Sequence, residues 1–294
     1  MYFNLQIACR INMTHRDLKR VHHSHYRYSN TLKYISNANA QFSSKQISRY
    51  RNSEDPTMTA PPTYLILPIP HTSPRLRALV KKYKATKLAA INADPSGFLV
   101  NHAEEMLHPL SVWESRLAAP STMLICVAVA ASADTKSDED VLLEGEWVGM
   151  AMLRGPLPWT SYYLPGSGQP VPQDPQKEAY WYLCTLYTAP AHRGRGLAKR
   201  IINGAVEIAR CRTEDLGGET LRARMKLFFD PRRDLLRGFY NALGFNEAGR
   251  VTLREGFEAN GDAEMLPRDT MGSEELRAKW ETRYGAAMEK IVVL

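Results

Sequence analysis

Residues 183–198 read LCTLYTAPAHRGRGLA, and this stretch decides how the rest of the chain is arranged. It opens apolar, as the end of a run over Ala179–Tyr187 that reads as a β-strand. It closes on Arg193-Gly194-Arg195-Gly196-Leu197-Ala198, after which apolar residues recur at helical spacing to about Cys211. A strand, a glycine–arginine turn and a helix in direct succession make a cradle for an anion. Glycine lets backbone approach a bulky group, and the first N–H groups of a helix point outward without intrahelical partners. Arg193, Arg195, Lys199 and Arg200 add positive charge there. A Walker loop, GxxxxGK followed by Ser or Thr, is absent, and a dinucleotide-binding GxGxxG would need glycine where Lys199 stands.

Upstream, Tyr64–Ile69 reads as a short edge strand bounded by prolines. Helical spacing follows Pro74, at Leu76, Leu79, Val80 and Tyr83, and again over Glu104–Leu117 around Trp113. Strands over Met123–Ala130 and Trp147–Leu153 flank an acidic loop, Ser132–Glu146, and are expected to pair antiparallel. Arg154–Lys177 is a proline-rich loop carrying Trp159, Tyr162 and Tyr163, expected to shape an acceptor pocket. Downstream come a strand over Leu221–Phe229, a helix from Asp230-Pro231 to Leu243 closed by Gly244, and a strand over Phe245–Arg254. A polar insertion, a helix around Ser273–Arg283 and a last strand over Ala286–Leu294 complete the chain.

The turn resembles the cofactor loop of GNAT N-acetyltransferases: Gln or Arg, two residues, Gly, one residue, then Gly or Ala, matched by Arg193, Gly196 and Ala198. Leu186-x-Thr188-x-Pro190 resembles the strand end leading into that loop, with Thr188 replacing the commoner Val. A second block, Phe239-Tyr240-Asn241-Ala242-Leu243-Gly244-Phe245, is similar to the family's helix-ending Tyr-x-x-x-Gly-Phe. The family's Asn and Ala earlier in that helix are missing, with Arg233 and Leu236 in their places. Asp94-Pro95 to Phe98 and Met288-Glu289-Lys290 are looser matches, so the resemblance covers about Tyr64–Leu294.

It implies an α/β fold of the α+β type: a twisted, mostly antiparallel sheet with flanking helices, splayed between its fourth and fifth strands. Acetyl-CoA is implied as co-substrate, with no metal. It would be held by Leu186, Tyr187 and Thr188 along the strand and by Arg193, Gly194, Arg195, Gly196, Leu197, Ala198 and Lys199 at the turn. Tyr240 inherits the role of protonating the departing thiolate. The implied reaction is direct transfer to a primary amine, of a small molecule by preference; a protein lysine, a protein N-terminus or a non-catalytic acyl-CoA-binding module are the alternatives. Glu178 and Glu146 are the carboxylates considered as base. His192 reads as a loop residue and Cys184 as a core thiol, since no His or Asp pattern supports a nucleophilic cysteine.

The chain has 294 residues, 44% of them hydrophobic, enough for one large domain or two small ones. Its net charge of +7 is concentrated: residues 1–57 hold nine Lys or Arg against three acids, leaving the remainder nearly neutral. The balance therefore gives no argument for nucleic acid. Residues 1–57 lack periodicity and read as a disordered basic leader. It is open whether this is a presequence, a binding tail or an extension upstream of a native start at Met58, with the domain over 58–294. Four cysteines without a CxxC pair suggest a reducing compartment. No secretory core or membrane-length apolar run is present, so the cytoplasm is expected, or mitochondria if the leader is a presequence. No membrane partner is expected, and the chain is taken as a monomer or homodimer.

Overall fold

The computed structural model describes residues 63–98, 100–129 and 136–294; the leader read over 1–57 lies outside them. Seven strands form one open sheet: β1 (Thr63–Pro68), β2 (Ser121–Val129), β3 (Glu146–Leu157), β4 (Glu178–Thr188), β5 (Arg222–Phe229), β6 (Asn246–Thr252) and β7 (Tyr284–Val293). Their spatial order is β1-β2-β3-β4-β5-β7-β6. All neighbours are antiparallel except β4 and β5, which run parallel. The fold is thus mixed α/β with a mostly antiparallel sheet, as expected.

The helices are α1 (Leu76–Ala93), α2 (His102–Leu107), α3 (Leu110–Leu117), α4 (Asp138–Glu144), α5 (Trp159–Tyr162), α6 (Leu197–Leu216), α7 (Asp234–Ala242), α8 (Leu253–Asn260) and α9 (Glu274–Arg277). β2 is buried on both faces over Ser121–Val127. Leu124 and Cys126 pack with α6, while Met123, Ile125 and Val127 pack with α1 and α3. Strand alternation thereby puts one core on each side of the sheet. α6 contributes Leu197, Ile201, Ile202, Ala205 and Ala209, the stripe its helical period dictates. Each isoleucine so buried contributes about 1.5–3 kcal/mol. Gly149 of β3 lets α6 come this close, because a Cβ there would stand 2.8 Å from Cδ1 of Ile201.

Four sequence expectations change. The helix read over Glu104–Leu117 is two helices, because Pro109 holds His108 in extended backbone and opens α3 itself. The acidic loop contains α4, capped by the Ser137 side chain. α7 begins at Asp234 rather than at Asp230-Pro231, since Asp230 accepts hydrogen bonds from Arg232 instead of capping a helix. The polar insertion holds α8, closed at its start by a Thr252–Glu255 capping box. Among the described residues no helix is long and apolar enough to cross a membrane.

Candidate active site

The parallel ladder between β4 and β5 joins Glu178–Leu183 to Arg222–Leu227 and goes no further. Past Leu183, β4 keeps β3 as its partner but parts from β5. A bulge marks the parting: Cys184 pairs with Met152 and Tyr187 with Met150, so Thr185 and Leu186 together oppose Ala151. Thr185 has φ of 56°, the one non-glycine positive φ among the described residues. An extra residue bends its strand and sharpens its twist, which draws the end of β4 away from β5. A cavity of about 670 Å³ opens in the gap, within the range of small-molecule sites.

The cavity brings together several residues singled out from the sequence. Leu186, Tyr187 and Thr188 line one side, Phe228 and Phe229 of β5 the other, and Tyr240 of α7 a third. The hydroxyl oxygen of Thr188 is buried without a hydrogen-bond partner among the described residues. Tyr240 is 7% exposed and packs against Phe229, Phe239 and Phe245 at ring separations of 5.6, 5.3 and 6.1 Å. Burial pushes its phenol up to about 12.

The glycine turn begins where the cavity ends, at Thr188 and Arg193. Gly194 and Gly196 adopt φ of 77° and 72°, and a Cβ at either would meet nothing within 4 Å. Glycine is therefore demanded by the turn's conformation rather than by crowding, and open space lies over the start of α6. The N–H groups of Leu197, Ala198 and Lys199 begin the helix with no turn behind them to accept. The side chains are less available than the sequence suggests. Arg193 donates to the Thr188 carbonyl at 3.0 Å and to Asp94 at 2.7 Å. Arg195 donates to the Tyr64 hydroxyl at 3.1 Å and Arg200 to the Tyr64 carbonyl at 2.6 Å. Only Lys199 of the four is both exposed and without such a bond among the described residues. Backbone donors, with Lys199, are what this turn offers a diphosphate; bulge, open cradle and unsatisfied Thr188 together fit the CoA group.

Neither carboxylate considered as base reaches the cavity. Glu178 begins β4, far from the parting, and accepts from Arg224 Nε at 2.5 Å and Nη2 at 3.0 Å. Glu146 is exposed, 3.7 Å from Nε2 of His192. The carboxylates that do line the cavity are Asp94, Asp230 and Asp262, each beside a guanidinium: Arg193, Arg232 and Arg116. The Arg232 hydrogen bonds hold the Asp230 carboxyl down to about 2. Cys184 also lines the cavity, and burial pushes its thiol up to about 11, which suits a packing role over a nucleophilic one.

The proline-rich loop is the clearest correction. No residue of 154–177 lines the cavity. Trp159 stacks on Tyr163 at 4.7 Å and against Tyr180 at 5.0 Å, beside the paired half of β4. Tyr162 is fully buried and donates to Glu289 at 2.7 Å. A Trp159→Ala variant is expected to lose roughly 2 kcal/mol of stability, or about 5 °C in melting temperature. Steady-state kinetics should show KM for amine and acetyl-CoA unchanged. The cavity's other walls come instead from Phe98 and Val100 after α1, and from Leu253, Phe257 and Asn260 of α8. The Thr-x-x-Glu at 252–255 was the available signal for α8.

The sequence profile described as the Acetyltransferase (GNAT) family matches residues 126–245. No curated protein matches the chain in sequence. Among solved structures, Arabidopsis thaliana NAA60 in complex with acetyl-CoA is similar over 79% of this chain and 100% of its own, at 12% identity and TM-score 0.44. The ribosomal-protein-alanine N-acetyltransferase of Brucella melitensis is similar over 78% and 99%, at 16% identity and TM-score 0.37. The IAA acetyltransferase of Bacillus cereus is similar over 78% and 100%, at 12% identity and TM-score 0.37. The profile match runs from β2 to the residue after Gly244, so it takes in the parted strands, the glycine turn and Tyr240, and over these residues, less than half of the chain, the protein is similar to the GNAT acetyltransferases.

Proposed function

We propose that the chain transfers acetyl directly from acetyl-CoA to a primary amine of a small molecule, with both substrates bound together. The observation that carries this reading is the parting of β4 from β5, which leaves one cavity open to the Arg193–Lys199 turn at one end and walled by α8 and Phe98 at the other. A walled, partly apolar acceptor end favours a compact amine over a protein surface.

Acetyl-CoA supplies the activated acyl group, and its thiolate is the leaving group. The chain's own part begins at the turn, where the N–H groups of Gly194 to Lys199 would hold the diphosphate. Leu186, Tyr187 and Thr188 would bind the pantetheine arm with the backbone edge that the parting from β5 exposes. A backbone N–H on this strand, fixed before reaction, stabilises the charge that develops on the carbonyl oxygen. Tyr240 holds its proton at Oη and donates toward the sulfur.

Each carboxylate lining the cavity is engaged with arginine, so the chain supplies no carboxylate poised near neutrality as base. The kcat/KM for the amine should therefore rise with pH toward the amine's own pKa. It should not fall again by pH 10, because the Tyr240 phenol, pushed up to about 12, keeps its proton there. A pH profile that peaks near neutrality would overturn this assignment.

The reading is tested by thiol release from acetyl-CoA with panels of small amines and of peptides bearing free N-termini or lysines. Turnover confined to peptides would replace the small-molecule acceptor by a protein one. No turnover with any amine, in a chain that binds CoA, would leave only a binding module.

A further inference from the structure

Three glycines stand inside α-helices among the described residues, and each forgoes the helix propensity that alanine would bring. Gly204 of α6 has a packing reason, because a Cβ there would meet Cγ2 of Ile66 at 3.3 Å and Cδ2 of Leu124 at 3.4 Å. Gly238 of α7 is exposed, and a Cβ there would meet nothing within 4 Å. Gly256 of α8 differs from both: it is buried, yet a Cβ there would also meet nothing within 4 Å. Its backbone is helical, so no left-handed φ asks for glycine either. The open space beside it is the cavity, which Gly256 lines.

α8 turns one face to that space. Leu253, Gly256, Phe257 and Asn260 all line the cavity, and their spacing places them on one side of a helix. Gly256 is in the middle of that face and is its one position without a side chain. It therefore leaves a recess, one turn from Leu253 and one turn from Asn260. The surroundings are mainly apolar. Leu253 and Phe257 form a core cluster with Trp280, and Val100, which also lines the cavity, packs on that cluster. Asn260 is engaged, accepting at Oδ1 from the Tyr182 hydroxyl at 2.6 Å. Lys87 and Asp262, charged residues of the cavity wall, stand 3.8 Å from Glu105 and 3.4 Å from Arg116, so neither offers an unmatched charge. A hollow against such a wall forfeits packing contacts unless something fills it.

We propose that Gly256 sets acceptor specificity: the recess it leaves on α8 receives an apolar group of the acceptor, so that the substrate class is primary amines with an apolar alkyl or aromatic skeleton. The inference rests on the amine-transfer reading and narrows it. The amine is presented toward the parted strands while its apolar group lies against Leu253, Gly256 and Phe257. Gly256 acts by the space it leaves and takes no part in bond making.

Steady-state kinetics on the full chain test it, with straight-chain primary amines from ethylamine to hexylamine and with phenethylamine. In the wild type, kcat/KM is expected to rise about fourfold per added methylene until the recess is full. Gly256→Leu should fill the recess and cut kcat/KM for hexylamine and phenethylamine at least about tenfold, leaving ethylamine and the KM for acetyl-CoA within about twofold. Gly256→Ala guards against a folding artefact. It should raise the melting temperature by about 2 °C, since the helix gains and nothing is crowded, while the longest amines lose about fourfold. A flat size profile in the wild type, or one that both variants leave unchanged, would overturn the proposal. So would a loss in Gly256→Leu that falls on acetyl-CoA instead of the amine, which would give the recess to the cofactor. Calorimetry of the same amines on the CoA-saturated chain is scored separately. Size-dependent binding that Gly256→Leu erases, without turnover of any amine, sinks amine transfer and leaves the recess standing. Turnover without size preference does the reverse, and neither binding nor turnover of any amine sinks both.

Discussion

A Gly196→Glu chain is expected to fold and to bind CoA at least about 100-fold more weakly than wild type by calorimetry. The fold should survive because a side chain at this position points into open space, with nothing within 4 Å of its Cβ. What it meets is backbone strain, since φ is 72°. A non-glycine residue there costs about 1–2 kcal/mol, a few degrees in melting temperature for a domain of this size. Binding is hit harder. The open space is where the first N–H groups of α6 would receive the diphosphate, and the new carboxylate would occupy it. Like charges about 4 Å apart at a protein surface oppose one another by about 4 kcal/mol before salt screening, and a hundredfold needs only about 2.8. Gly196→Ala separates the two effects, since it carries the strain without the charge and should lose less than tenfold. Arg195→Ala should matter less than the sequence implies, because that guanidinium is spent on Tyr64. If Gly196→Glu binds CoA within tenfold of wild type, the turn is not the cradle.

The strand, turn and helix over Ala179–Cys211 were legible because each carries a local signal: apolar continuity, glycine at positive φ and helical periodicity. Tyr240 was singled out by the resemblance to the family's Tyr-x-x-x-Gly-Phe, and it lies near the end of α7, just before the Gly244 turn. Where the reading failed, the deciding partner lay far along the chain. Glu178 looks like any carboxylate at a strand end until β5 sets Arg224 against it. The aromatics of 154–177 look like a binding wall until Tyr180 and Glu289 claim them. α8 was missed for another reason: its apolar residues are few, so the cap at Thr252 speaks louder than its periodicity.

Tyr240→Phe is expected to lower kcat by about 10- to 1000-fold while leaving CoA affinity within about threefold. The packing reading has real support, since the ring lies among Phe229, Phe239 and Phe245. Phenylalanine preserves that packing, so any large loss belongs to the hydroxyl. Burial has pushed the phenol up to about 12, whereas a thiol in water ionises near 8.5. Handing its proton fully to a thiolate of that basicity is uphill by about 3.5 units, or about 5 kcal/mol. The hydroxyl therefore works chiefly as a hydrogen-bond donor to sulfur as charge builds there, with complete transfer only if the dry cavity raises the thiolate's basicity to match. This distinction has a measurable consequence. A better leaving group needs less help, so acetyl donors with more acidic thiols should narrow the gap between wild type and Tyr240→Phe. A gap that stays constant across such donors would place the hydroxyl's contribution elsewhere than the sulfur, and wild-type turnover in the variant would assign Tyr240 to packing alone.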